Sequence, residues 1–205
     1  MANLIVAVMA IALASVLATV AFNYVGSLYT DGRADAQAAQ LISDSAKVAS
    51  ALRSWSRVNG GSTTLSDTNW SNGAPTDLIN GSNMYLDALP QLGSYAQGNG
   101  STDYYIKTMP SSNIAWGNEG TNFNCLFAVI TSVGVCKAIA RLSRGDTATP
   151  LIISAGSTLT ISSGTTGTNF STVMANSDFD CVFNDVNNDG NIDSGDSMFF
   201  LYKVF

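Results

Sequence analysis

The chain has 205 residues, only 12% of them charged, and a formal net charge of -6 at neutral pH. An acidic chain is a poor partner for nucleic acid, because binding to phosphate depends on Lys and Arg. The sequence contains no histidine, which excludes every catalytic mechanism that needs an imidazole. We therefore expect that this protein is not an enzyme.

The N-terminal segment is the most apolar part of the chain. Residues 1–30 contain no Asp, Glu, Lys or Arg, and almost all residues from Leu4 to Val25 are apolar. About 20 apolar residues in a helix are enough to span a bilayer. A cleavable signal peptide would begin with basic residues, and residues 1–3 supply none. We expect either that a basic leader has been removed or that this segment is another kind of anchor.

The helical pattern continues beyond the apolar segment and becomes amphipathic. Its apolar residues recur at steps of about three and four: Ala34, Ala38, Leu41, Ile42, Ala46, Val48, Ala49, Leu52 and Trp55. The pattern predicts one helix from about Leu4 to Val58, roughly 80 Å long at 1.5 Å per residue. The sequence Asn59-Gly60-Gly61 is a good stop signal. Gly26 and Gly32 are the positions where this helix is most easily kinked.

Residues 59–205 predict one globular domain after the helix of residues 1–58. The candidate strands are short and rich in aromatic and β-branched residues: Tyr104–Met109, Leu126–Thr131, Leu151–Ser154, Leu159–Ser162 and Met198–Val204. The segment Val135–Leu142 predicts a short helix that ends near Gly145. The expected fold class is therefore α+β, with the long helix packed on a C-terminal antiparallel sheet.

A calcium loop is predicted near the C-terminus, at residues 185–196. Calcium prefers six to eight oxygen ligands, and a 12-residue loop supplies them around a tight glycine at its sixth position. The predicted ligands are Asp185, Asn187, Asp189, Asn191 through its carbonyl, Asp193 directly or through water, and Asp196. Gly190 would make the turn and Ile192 would anchor the loop in the core. Asp at the twelfth position departs from the EF-hand glutamate and resembles the dockerin variant. The alternative is a turn rich in Asn and Asp that binds no ion.

The chain has three cysteines, so one disulfide leaves one thiol over. A bond between Cys136 and Cys181 would fasten the C-terminal segment to the rest of the domain. Cys125 would then be a buried free thiol. The competing pair is Cys125 with Cys181.

The order of these parts resembles that of type IV pilins, in particular the larger type IVb class. The resemblance covers the apolar and then amphipathic helix, the Gly- and Ser-rich connector and the late cysteines. The segment Phe127–Ile139 also looks like the strand, turn and cysteine-containing helix of that class. This likeness favours the disulfide between Cys136 and Cys181. It also makes Met1 a plausible mature N-terminus, methylated as in the family.

The resemblance implies a homopolymeric filament on the cell surface. We expect the disulfide and the calcium ion predicted from the loop to stabilise its subunit. Its subunit would sit in the inner membrane before a dedicated machine assembles it. The helices would pack against one another in the filament, since an apolar helix is soluble only in lipid or among its own kind. The expected packing residues are Leu4, Ile5, Ala7, Val8, Ala10, Ile11, Ala14, Val16, Leu17 and Ala21.

One position departs from the family pattern. Type IV pilins usually carry a glutamate where this chain has Ile5, and that glutamate is thought to engage the terminal amine of a neighbour. Three interpretations stay open: a minor pilin, a tip pseudopilin of the type II secretion kind, or a subunit that assembles by apolar packing alone. A membrane-anchored binding module like a dockerin is a further alternative, although dockerins normally have paired loops.

Overall fold

The computed structural model describes residues 2–61, 78, 85–88, 90–97, 105–109, 123–155, 177–187, 189–192 and 196–204. The first element is helix α1, Ala2–Val58, which passes through Gly26 and Gly32 without a break. Gly60 and Gly61 have positive φ angles of 71° and 80°, a conformation in which glycine is favoured. The predicted helix and its stop signal are therefore confirmed.

The second helix, α2, spans Val133–Arg144. The Ser132 side chain accepts the Val135 N–H at its start, and Gly145 caps its end with φ 104°. The predicted bounds were within about two residues of these. α2 packs closely on α1, since a Cβ added to Gly134 would lie only 3.4 Å from the Ala34 side chain.

Six strands form one sheet. They are β1 (Ala96–Gln97), β2 (Tyr105–Met109), β3 (Phe123–Ile130), β4 (Leu151–Ala155), β5 (Phe179–Asp185) and β6 (Ser197–Lys203). The sheet order is β1-β3-β6-β5-β4, with β2 also paired to β3. Four of the predicted strands correspond to β2, β3, β4 and β6, and the fifth, Leu159–Ser162, lies outside the described residues. β1 and β5 were not predicted.

The sheet is mixed, whereas the strand pattern predicted an antiparallel sheet. β4 and β5 are parallel, and every other pair in the sheet is antiparallel among the described residues. The prediction failed because residue types and strand lengths do not report strand direction. The chain between β4 and β5 is more than 20 residues long, which is enough for the crossover that a parallel pair requires.

The core lies between the helices and one face of the sheet. The second half of α1 contributes the apolar face predicted from its spacing, including Ala38, Leu41 and Leu52, while Leu126 and Phe200 come from β3 and β6. β5 and β6 are buried on both faces, as six of the seven residues in β5 and five in β6 are inaccessible. β6 accordingly reads as a continuous apolar run from Met198 to Tyr202, whereas Asp180 and Asn184 interrupt the apolar run of β5.

Candidate calcium site and assembly surface

The predicted calcium loop closes the hairpin between β5 and β6. Asp185 is the last residue of β5, and the register pairs Asn184 with Ser197 at the start of β6. The first and last predicted ligands therefore lie at the two ends of adjacent strands. Asp196 Oδ1 accepts the N–H of Val186 at 2.9 Å, which holds these two ends together.

The first half of the loop is organised by Asp and Asn side-chain oxygens that accept hydrogen bonds from backbone N–H groups. Asp185 Oδ2 accepts the Gly190 N–H at 2.8 Å, and Asp185 Oδ1 accepts the Asp189 N–H at 3.3 Å. Asn187 Oδ1 accepts the same Asp189 N–H at 3.2 Å. Asp189 Oδ1 accepts the Asn191 N–H at 2.7 Å. These bonds bring four of the six predicted ligand residues into one network.

The turn of the loop and its anchor are as predicted. Gly190 has φ 79°, in the left-handed region where a side chain would be strained. Ile192 is half-buried and packs against the core. Asp193 lies outside the described residues. Among the residues that are described, no three Asp, Glu, His or Cys side chains gather closely enough to form a metal site by themselves.

The chemistry of the loop nevertheless suits a hard cation. Residues 185–196 contain four Asp and three Asn and no Lys or Arg. Asp185 is almost wholly buried, at 1% exposure, and a buried carboxylate is costly without a compensating charge. The predicted metal-ligand atoms are all oxygens, which is the ligand type that calcium prefers.

A disulfide joins Cys136 in α2 to Cys181 in β5, with Cα atoms 5.3 Å apart. This is the pair that the family resemblance favoured. Both cysteines are fully buried. Cys125 lies in β3, and its side chain is outside the part that the structure describes. The disulfide therefore fastens β5 to the helical layer four residues before the calcium loop begins.

An ion pair between a buried carboxylate and a partly exposed guanidinium lies next to the disulfide. The Arg144 Nε at the end of α2 donates to Asp180 Oδ2 at 2.7 Å, and the Asp180 side chain is 0% exposed. Burial raises the pKa of the Asp180 carboxyl, while the Arg144 guanidinium and the Cys181 N–H partly offset this effect. Arg144 also donates to the Thr149 carbonyl oxygen. Sequence reasoning missed this pair, because its members are 36 residues apart and no local pattern connects them.

The first half of α1 forms an exposed apolar surface. Eleven large hydrophobic residues from Val6 to Val25, Tyr24 among them, have exposures of 60–79%, with Phe22 the highest. The seven predicted packing residues whose side chains are described are all exposed: Val8, Ala10, Ile11, Ala14, Val16, Leu17 and Ala21. Met1 and the side chains of Leu4, Ile5 and Ala7 lie outside the described part. α1 is long and apolar enough to cross a membrane, by length and composition.

Four Ser and Thr hydroxyl groups within this apolar half are bonded inside the helix. Ser15 Oγ donates to the Ala12 carbonyl at 2.8 Å, and Thr19 Oγ1 donates to the Ser15 carbonyl at 2.8 Å. Ser27 and Thr30 make equivalent bonds. A polar group that must enter an apolar environment needs such a partner. These four hydroxyl groups therefore already have the partners that burial in lipid or against other helices requires.

Comparison of this chain with protein-family models, with curated proteins and with solved structures finds no match. A long apolar helix on a small sheet domain with one disulfide is compatible with a pilin-like fold.

Proposed function

We propose that this chain is the subunit of a surface filament of the type IV pilin kind, held in a membrane before assembly. The observation that carries the proposal is the division of α1 at about residue 34. On the N-terminal side of this division the helix is exposed, and it carries no charged residue as far as Thr30. From Ala34 onward, one face of the helix is buried against α2 and the sheet. The C-terminal part of α1 thus packs into the globular domain, and the N-terminal part is available to contact other subunits.

Water is a poor environment for the exposed half of α1. Exposed apolar surface of this extent marks a site of contact with lipid or with another protein. The uncharged segment fits a bilayer before assembly. In a filament outside the membrane, the same side chains would be covered by the α1 helices of neighbouring subunits. Small residues such as Ala10, Ala14 and Ala21 would let those helices approach closely.

The double variant Ala10→Leu/Ala14→Leu tests whether the helix packs against other subunits or only enters lipid. Leucine keeps the segment apolar and helical, so we expect the protein to stay in the membrane fraction. Overpacking a close helix contact costs about 1–3 kcal/mol, so the yield of sheared filaments should fall about tenfold. The matched control, Ala10→Ser/Ala14→Ser, keeps the residues small and should assemble normally. Equal filament yields from both variants would argue against close packing at these positions.

We also propose that the loop of residues 185–196 binds one Ca²⁺ ion. Asp185, Asn187 and Asp189 would supply side-chain oxygens, Asn191 its carbonyl, and Asp193 and Asp196 the remaining ligands. The support is the network that already gathers the first of these groups around Gly190. Since Asp185 and Asp196 end adjacent strands, the ion would join β5 to β6. Its role is structural.

Calcium should stabilise the folded protein measurably. With a dissociation constant near 10 µM, calcium at 1 mM adds about 2.7 kcal/mol to the free energy of unfolding. For a chain of this size, we expect the melting temperature to rise by roughly 5–10 °C. Asp189→Asn and Asp196→Asn keep the shape of the side chains but remove charge, and they should reduce this shift. Asp146→Asn, an exposed position outside the loop, should leave the shift unchanged. A calcium shift that survives both loop variants would place the ion elsewhere.

A further inference from the structure

The second half of α1 carries its charges unevenly. Residues 31–44 contain three carboxylates and one guanidinium, whereas residues 45–58 contain three cations and no carboxylate. Two copies lying side by side in the same register would place like charges together. A shift along the helix axis would bring the acidic stretch of one copy beside the basic stretch of the other.

Most of these charges already have partners within the subunit. Asp35 pairs with Arg141, and Asp44 pairs with Lys47. Arg53 donates to the carbonyl oxygens of Val204 and Lys203. Three exposed charges are left over for a neighbour: Asp31 and Arg33 in the first stretch, and Arg57 in the second.

Asp31 and Arg57 are the two of opposite sign that lie in different stretches, and Arg33 lies about 200° around the helix from Asp31. Both side chains belong to exposed residues, and among the described residues neither has a hydrogen bond or an ion pair. Asp31 lies where the apolar half of α1 ends, and Arg57 lies one residue before the end of the helix. They are about 39 Å apart along the axis, so they cannot pair within one subunit.

A shallow groove of about 750 Å³ runs along α1 between these two charges. Ser43, Lys47, Ser50 and Ser54 line one side of it, and Tyr85 and Leu86 line the other. Small hydroxyl side chains let another helix approach closely. The charge of Lys47 is paired with Asp44 within the subunit. The groove thus combines small residues and one paired cation on α1 with an apolar wall.

We propose that this groove seats the apolar half of α1 from a second copy, running in the same direction, with Asp31 of that copy beside Arg57 of the first. The inference rests on the proposed function, because a shared membrane gives all copies one orientation. The shift is about 26 residues, or about 39 Å. It brings the uncharged residues 17–28 of one copy level with groove residues 43–54 of the other. Pairing Asp31 with Lys47 would instead bring charged residues 31–35 level with the groove.

Cross-linking tests this geometry directly. In the double variant Asp31→Cys/Arg57→Cys, each subunit carries both new thiols. They are too far apart for a short cross-linker to join them within one subunit. Treatment of the assembled full-length protein with a short bifunctional maleimide should give a ladder of covalent oligomers on a denaturing gel. The single variants control for reaction at Cys125. A covalent dimer without higher oligomers would indicate an antiparallel pair and overturn the proposal. The proposal would also be overturned if the double variant gave the same bands as the single variants.

Charge reversal gives an independent readout. Asp31→Arg and Arg57→Asp should each lower the filament yield about tenfold, because each places like charges together. The combined variant restores the opposite charges and should recover the yield to within about twofold of the original chain. If the combined variant assembles no better than the single ones, the pairing is wrong. If the wild-type chain, prepared in parallel, forms filaments while the combined variant does not recover, the filament function stands and only the Asp31–Arg57 register is wrong.

Discussion

Replacing Cys136 and Cys181 together by alanine should lower the free energy of unfolding by about 4 kcal/mol. The two cysteines are 45 residues apart in sequence, and a cross-link of that length restricts the unfolded chain by about this amount. This is a large part of the total stability of a domain, which is typically about 5–15 kcal/mol. Urea unfolding of the oxidised protein at neutral pH, with calcium held constant, measures the loss.

The single variants Cys136→Ala and Cys181→Ala provide the control. Either one breaks the same bond, so each should lose nearly as much stability as the double variant. Non-additivity of this kind is the signature of a direct interaction. If the two losses simply added to give that of the double variant, the cysteines would be acting as separate core residues and the bond would not explain the effect.

The second large effect is expected from Arg144→Ala. Removing the cation leaves the Asp180 carboxylate as an uncompensated charge, and the loss of one partner from a buried pair costs about 3 kcal/mol. The Asp180 side chain is 0% exposed, whereas that of Arg144 is 26% exposed, so we expect a loss of about 2–3 kcal/mol. The matched variant is Arg141→Ala, one turn earlier on the same helix. Its partner Asp35 is exposed, and exposed ion pairs contribute only about 0–1 kcal/mol.

The loss in Arg144→Ala should also depend on pH. Burial raises the pKa of the Asp180 carboxyl, and Arg144 opposes the rise, so the variant raises this pKa further. A buried acid with a raised pKa favours folding most below the ordinary carboxyl pKa of about 4. That contribution is lost as the pH rises through the folded-state pKa. The difference between variant and wild type should therefore shrink from pH 7 toward pH 4. A loss independent of pH would contradict the role of the Asp180 charge.

Much of the helical structure could be predicted from the sequence, because its causes are local. The spacing of apolar residues and the Gly60-Gly61 stop define α1, and Gly145 ends α2. β5 was missed since Asp180 and Asn184 interrupt its apolar run, although both are buried. Asp180 is tolerated there because Arg144 reaches it from α2. That contact belongs to the tertiary structure and leaves no local pattern.

The candidate site was predictable to a similar degree and for similar reasons. The spacing of Asp, Asn and Gly in residues 185–196 predicts the loop, because each ligand position is fixed by the turn itself. The sequence could not show that the loop closes a hairpin, since β5 was not predicted. The cysteines alone left two pairings open. Only the packing of α2 against β5 brings Cys136 to Cys181.

Electron microscopy of sheared cell-surface material tests the central claim most directly, with calcium present and again after chelation. We expect uniform thin filaments composed of this chain, and we expect them to fray when calcium is removed from the β5–β6 hairpin. Filaments that stay intact after chelation would contradict a structural role for calcium, but they would still support the proposal that this chain is the filament subunit. Finding the protein only as monomers or bound to membrane vesicles would contradict a filament subunit, and it would favour a tip pseudopilin or an anchored binding module.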